Sequence, residues 1–485
     1  MKICILGLDC AAPDVIFGDE RLVNLGRLMD LGTYGRLESV IPPITVPAWM
    51  CMSTSQDPGS LGVYGFRNRL DYSYDKLGFA NSASITALAM WDQVAREGKK
   101  SIIVGVPPNY PPRRINGISI GCFLTPDTAK TDFTHPPHIK AKLSELVGDY
   151  PVDVKNFRTD RKDWLKKEIF EMSRKQWQVV RWLLSEQEWD YFHFVDIGLD
   201  RMHHGFWNYY DPGHIQYVPG SPYENAIPEY YQWLDQQIGS VMELLDDETV
   251  VLVVSDHGAQ RLDGGIAINE WLIQQGLLSL KETPQTLTPF DKLNVDWDKT
   301  KVWSEGGYYA RIFFNVQGRE PHGVIPAADY ESFQAEMKAR LEALPDDHGR
   351  PLNSFIFNPK EIYRNVRNVA PDLIAHFGGL YWRSVGTVGH GRIHVQKNDT
   401  GPDACNHAQF GMFILTAANC PLNGEYEGAR LLDIAPTLLD LAGYEIPDTM
   451  QGRSLVAGRS KKAPPSTDVE GEHQIHERLA GLGYV

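Results

Sequence analysis

Asp9, the pair Asp256-His257, and the pair Asp200 and His204 all stand at or just after the ends of short apolar runs. Carboxylate oxygens and imidazole nitrogens are the donors that Zn²⁺ and Mn²⁺ accept, so an Asp and an Asp-His pair brought to one sheet edge make half of a divalent-cation site. Asp200 and His204 are four apart, and a helix beginning near Asp200 puts both on one face. Asp196 and Asp200 share that spacing, and His203 adjoins His204. A third segment, "VGHGRIHVQKNDTGPDACNHAQFGMFIL" (388–415), adds His390, His394 and His407. His407, a few residues ahead of the run "GMFIL", is expected to complete a second metal site; His390 and His394 lie in a glycine-rich stretch suited to substrate contact.

The segment "PPITVPAW" (42–49) sets Thr45 between Pro43 and Pro47, with Trp49 behind. Prolines lock φ and remove backbone donors, so the segment reads as a stiff loop rather than a helix interior or central strand. A free hydroxyl is a poor nucleophile at neutral pH, but coordination of Thr45 to a dication lowers its pKa, and a second ion a few ångström away suits phosphoryl transfer. Each piece also has a plainer reading: Asp9 as a helix N-cap, Thr45 as a turn residue.

The elements that must position these groups are visible as apolar runs: "ICILGLD" (3–9), "SIIVGV" (101–106), "YFHFVD" (191–196), "VVLVVSDHG" (250–258), "PDLIAHFG" (371–378) and "GMFILTA" (411–417). Runs without alternation are expected of strands covered on both faces. Helical patterns at 163–187 and 223–247 lie between them. The alternation predicts a doubly wound α/β core with a mostly parallel sheet and helices on both faces, with chemistry beyond the carboxyl ends of its strands. Residues 285–365 read as an inserted cap, with a hairpin at 310–325 and a helix at 328–344, leaving 1–284 and 366–457 as the core and 458–485 as a polar tail with a short helix.

With 485 residues, 42% hydrophobic and 22% charged, the chain is long enough for a large core with insertions. A net charge of −15 argues against a nucleic-acid polymer or an anionic membrane as partner, but not against a small phosphorylated substrate whose charge is met by metal ions. Six scattered cysteines contain no CxxC, which fits a reducing compartment. "MKICILGLD" is too short for a secretory core, and no apolar stretch approaches about 18 residues, so a cytoplasmic location is expected.

Taken in order, "GLD" (7–9), "PPITVPAW" (42–49), "DRMHH" (200–204), "SDHG" (255–258) and "NHAQFG" (406–411) resemble the alkaline phosphatase superfamily, in its branch of type I phosphodiesterases and nucleotide pyrophosphatases. The resemblance runs from residue 7 to about 460. It implies an alkaline-phosphatase-like fold, two divalent ions, most often zinc, and a threonine or serine nucleophile matched here by Thr45. It implies that Asp9, Asp256 and His257 hold the ion that activates Thr45, that Asp200, His204 and His407 hold the other, and that a phospho-threonine intermediate forms. Leu61, in "DPGSLGVYGF" (57–66), stands where the family usually has His. "TVPAW" lacks the Cys or Ser and the Arg of the related sulfatases, and the Ser-dependent mutases with larger caps match less well. Hydrolysis of a phosphodiester or pyrophosphate bond is the expected activity, with a phosphomonoesterase or phosphomutase, and a phosphoryl-ligand binding protein, as the alternatives.

Overall fold

A computed structural model describes residues 1–418 and 420–457; the expected tail at 458–485 lies outside the described residues. The elements that build the site are β1 (Ile3–Leu8), α1 (Val23–Leu31), β2 (Thr33–Glu38), α2 (Thr45–Thr54), β3 (Ser101–Val104), β4 (Gly117–Ile120), α3 (Lys162–Glu186), β5 (Tyr191–Asp196), α4 (Gly198–Tyr210), α5 (Ala226–Met242), β6 (Val250–Val254), β7 (Gly258–Arg261), β8 (Cys405–Ala408), β9 (Phe410–Thr416) and α6 (Ile434–Ala442). The central sheet runs β2, β9, β6, β1, β5, β3, β4, with short strands at both edges. β6, β1, β5, β3 and β4 are parallel, and β9 is antiparallel to both β6 and β2.

Successive residues of one strand enter different layers. Cys4, Leu6 and Leu8 of β1 join the core beneath α1, α3, α4 and α5, whereas Ile3 and Ile5 join the core beneath α2 and α6. Phe192 and Phe194 divide from Tyr191 and Val195 in the same way on β5. Burial on both faces removes any polar side, which is why these strands read as unbroken apolar runs. β2 and β4 are not conspicuous in the sequence; β2 (TYGRLE) alternates buried with more open positions because it lies toward the sheet edge.

The run "PDLIAHFG" belongs elsewhere than expected. Leu373–His376 pairs antiparallel with Ala310–Phe314 in a separate four-stranded sheet that also holds Val302–Glu305 and Phe355–Phe357. The apolar cluster on that sheet extends from Ile266 to Phe377, so it reaches beyond 285–365 on both sides. The hairpin spans Val302–Glu305 and Ala310–Phe314 rather than 310–325, and the following helix is Tyr330–Glu342.

Candidate active site

Three adjacent parallel strands deliver the carboxylates. Gly7 of β1 pairs with Val254 of β6, and Leu8 pairs with Asp196 of β5, so Asp9, Asp256 and the start of α4 emerge side by side at one sheet edge. Such carboxyl ends are where α/β sheets gather their chemistry. The β7–β8 pair sets His407 opposite Ala259, beside His257. Gly258 is required there by close approach rather than by a turn: a Cβ would meet the Phe410 carbonyl at 2.2 Å.

Thr45 is the first residue of α2, not part of a loop. Ile44 is an extended N-cap, and Pro47 occupies the first turn, where backbone N–H groups have no intrahelical partner and proline costs little. All ten residues of α2 are buried, which makes a rigid mount with an N-terminus that favours anions. The Thr45 hydroxyl lies 3.3 Å from His257 Nε2. Trp49, one turn on, donates from Nε1 to Asp9 Oδ2 at 2.8 Å, so the aromatic of the Pro-rich segment orients a carboxylate.

Asp9, Asp256 and His257 bring ligand atoms within 4.8 Å of one another, and so do Asp200, His257 and His407. His204 Nε2 stands 3.2 Å from Asp200 Oδ1 and His407 Nε2 3.7 Å from the same oxygen. Each imidazole is held from behind by an oxygen acceptor. His204 Nδ1 donates to Asp403 at 2.6 Å, His257 Nδ1 to the Gly258 carbonyl at 3.1 Å, and His407 Nδ1 to the Pro43 carbonyl at 2.9 Å. A proton on Nδ1 leaves the Nε2 lone pair toward the cluster when an ion is bound, the arrangement metal-binding histidines need. Without one, burial opposes protonation of His204, but Asp403 and its other neighbours outweigh it and hold the imidazole above its usual value, as a cation. Among the described residues, Asp9 Oδ1, Asp200 Oδ1, Asp256 Oδ2 and His204 Nε2 are buried without hydrogen-bond partners. Orphaned buried oxygens of this kind are costly unless an ion takes them, so the residues present fit divalent cations.

Burial, with the negative charge of Asp200, pushes Asp9 above the ordinary carboxylate range, and burial with Asp9 beside it does the same to Asp256. Burial pushes His257 down to about 4, leaving it neutral. Burial, with His257 beside it, lowers His407 well below the usual imidazole value. Asp200 goes the other way: burial opposes its ionisation, but His204 and Arg201 outweigh it and hold the carboxyl well below its usual value.

Asp196 joins no cluster among the described residues; its oxygens accept from Trp177 Nε1 at 2.7 Å, Tyr230 Oη at 3.0 Å and Gly198 N at 2.8 Å. His390 bonds Thr387, and His394 bonds the Pro345 carbonyl; among the described residues neither joins a cluster. Leu61 is buried in the apolar layer beneath α2. Unforeseen participants are Asp403, behind His204; Arg201, paired with Asp200 and Asp153; and Tyr308, whose ring stacks on His407 at 4.3 Å. Asp403 supports His204, 199 positions away in the chain, so no local spacing points to it.

The model of the type I phosphodiesterase/nucleotide pyrophosphatase family matches residues 3–403. No curated protein sequence matches the chain significantly. Among solved structures, phosphonoacetate hydrolase from Sinorhizobium meliloti 1021, solved with phosphonoformate, superposes with a TM-score of 0.57 at 15% identity, covering 91% of this chain and 96% of its own. Murine ectonucleotide pyrophosphatase/phosphodiesterase 5 superposes with a TM-score of 0.51 at 13% identity, covering 92% and 96%. Its inactive threonine-to-alanine variant, in complex with AMP, gives 0.50 at 13% identity with the same coverages. With an alkaline-phosphatase-like fold and a family match over most of its length, the chain belongs to the type I phosphodiesterase/nucleotide pyrophosphatase family and is a phosphoester hydrolase.

Proposed function

We propose that the chain hydrolyses a phosphodiester or pyrophosphate bond of a small phosphorylated substrate through Thr45, with two divalent cations, Zn²⁺ or Mn²⁺, one among Asp9, Asp256 and His257 and the other among Asp200, His204 and His407. The observation that carries this reading is the Thr45 hydroxyl 3.3 Å from His257 Nε2, on a buried helix terminus beside orphaned carboxylate oxygens. When bound, the cations supply Lewis acidity that lowers the hydroxyl pKa and offsets charge on phosphoryl oxygens. Thr45 Oγ1 attacks phosphorus in line, the ester or anhydride oxygen departs, and a phospho-threonine forms that water then hydrolyses. α2 holds Oγ1 in the attacking position through burial on all sides, which converts much of the entropic cost of alignment into folded structure. Trp49 fixes the Asp9 carboxylate, Asp403 fixes His204, and Tyr308 from the inserted subdomain walls the His407 side. A cytoplasmic, reducing setting is supported by six free cysteines; no helix among the described residues is long and apolar enough to cross a membrane. The murine neighbour with AMP, inactive on loss of a threonine, supports a Thr-dependent reaction by analogy.

The test is Thr45→Ala, assayed with bis-p-nitrophenyl phosphate and Zn²⁺ or Mn²⁺, with metal content measured alongside. Turnover is expected to fall by at least about a thousandfold while the metal content stays near that of the wild type. Full activity in the variant would overturn the nucleophile, and less than one bound ion per chain in the wild type would overturn the metal assignment.

A further inference from the structure

The Asp200 carboxylate is divided between two kinds of partner. Arg201 Nη1 donates to Asp200 Oδ2, while Asp200 Oδ1 faces His204 Nε2 at 3.2 Å and His407 Nε2 at 3.7 Å. One oxygen is therefore spent on a guanidinium, and a cation between the two imidazoles meets this carboxylate through Oδ1 alone. The guanidinium is fixed from its other side. Its Nε and Nη2 donate to the two oxygens of Asp153 at 2.8 and 2.9 Å, and it lies 4.3 Å from the ring of Phe157 and 5.6 Å from that of Phe123. A bidentate carboxylate pair with aromatic rings beside it holds Arg201 in one place.

The charge around the two halves of the site differs accordingly. Asp9 and Asp256 are two carboxylates whose ion-pair partner among the described residues is His257 alone, a charge that one dication matches. On the other side, Asp200, Asp153 and Asp403 face Arg201, Arg158 and Arg383, three carboxylates against three guanidinium groups, and both imidazoles are neutral when they act as ligands. That assembly is balanced before an ion arrives. A dication there adds buried positive charge with nothing to offset it, which is costly. A phosphoryl anion brings the missing negative charge on oxygens that such ions accept as ligands.

We propose that Arg201, clamped by Asp153, makes the site of Asp200, His204 and His407 a conditional one: its cation binds weakly in the free enzyme and is held tightly only together with a phosphoryl anion. The cation among Asp9, Asp256 and His257 binds first and stays. Arg201 is thus a positioning residue that acts through Asp200 rather than on the substrate. The proposal rests on the two-cation reading of the Thr45 site. By linkage, the factor by which the anion tightens the second cation is the factor by which that cation tightens the anion.

Titration of the wild-type protein with Mn²⁺, the free ion being read by its electron paramagnetic resonance signal, tests this with and without inorganic phosphate. Without phosphate, one Mn²⁺ per chain is expected to bind at least about tenfold tighter than the second; saturating phosphate should tighten the second at least about tenfold and change the first by less than about twofold. Arg201→Gln, which frees Asp200 Oδ2 and removes a guanidinium, is expected to tighten the second ion about fivefold without phosphate and to shrink the phosphate effect. Asp153→Asn, which leaves Arg201 uncompensated, is expected to weaken the second ion about tenfold and keep the phosphate effect. An unchanged first ion in each variant shows that the fold is kept. Two ions of equal affinity without phosphate would overturn the proposal. So would weakening of the second ion by both substitutions alike, since the pair would then only brace Asp200. No tight ion under either condition would overturn the two-cation reading itself, and the proposal with it. Should Arg201→Gln fail to fold, the wild-type titrations alone decide the coupling.

Discussion

Around Asp200 the protein brings its own cations, whereas around Asp9 and Asp256 it relies on neutral donors. Asp200 faces His204 and Arg201, Arg201 is held in turn by Asp153 through two bonds of 2.8 and 2.9 Å, and Asp403 is flanked by His204, Arg158 and Arg383. Asp9 and Asp256 have no lysine or arginine ion pair among the described residues; a Trp49 N–H, the Cys10 backbone N–H and a neutral His257 are what they receive. One half of the site is therefore self-compensated without metal, and the other carries two buried carboxylates that repel each other. The two halves of one acidic site can thus differ in what metal loading does for the fold.

Asn substitutions break the comparison most sharply. Asp9→Asn, Asp256→Asn and Asp200→Asn are each expected to lower cation affinity by at least about a hundredfold, measured by competition with a chromogenic chelator. Their effects on the chelated protein should have opposite signs. Asp9→Asn and Asp256→Asn relieve repulsion and raise its stability by about 1 kcal/mol, while Asp200→Asn leaves Arg201 and His204 short of a counter-charge and lowers it by about 2 kcal/mol. Chemical denaturation in the presence of chelator reads both, and equal signs would contradict the asymmetry.

pH sharpens the same contrast. The folded values of Asp9 and Asp256 lie above the ordinary carboxylate value, so the stability they contribute is present below about pH 3.9, the unfolded value, and is lost as pH rises through their folded values. Asp200 is depressed, so its contribution is present above about pH 3.9 and is lost only as pH falls through its lower folded value. Thermal unfolding of the chelated protein should show a Tm that falls as pH is raised from weakly acid to neutral, and the fall should be smaller in Asp9→Asn. With Zn²⁺ or Mn²⁺ present the fall should vanish. Smaller effects separate the supporting residues. Asp403→Asn should cost about ten- to a hundredfold in kcat/KM by loosening His204, and Trp49→Phe, which removes one hydrogen bond to Asp9, about tenfold.

Asp9, Asp256 and His257 are legible in the sequence because unbroken apolar runs end in them, and parallel strands of a doubly wound sheet end at one edge. Thr45 is legible as a hydroxyl held between prolines, but the prolines mislead about its setting, since Pro47 is tolerated in the first turn of α2. "PDLIAHFG" misleads for a different reason: an apolar run reports burial and not which sheet buries it. Asp403, Arg158 and Arg383 are brought together only by packing across three distant segments. The interval Asp403 to His407 repeats that of Asp200 to His204, but it runs from an extended segment into β8, where four residues do not share a helical face.

Acid quenching of the metal-loaded enzyme during turnover, followed by peptide mass spectrometry, tests directly whether Thr45 carries the phosphoryl group. A phosphorylated peptide modified at Thr45, absent in Thr45→Ala, is the expected result. A phosphoryl adduct on another residue, or full turnover with none at Thr45 under conditions that stabilise phosphoesters, would contradict it.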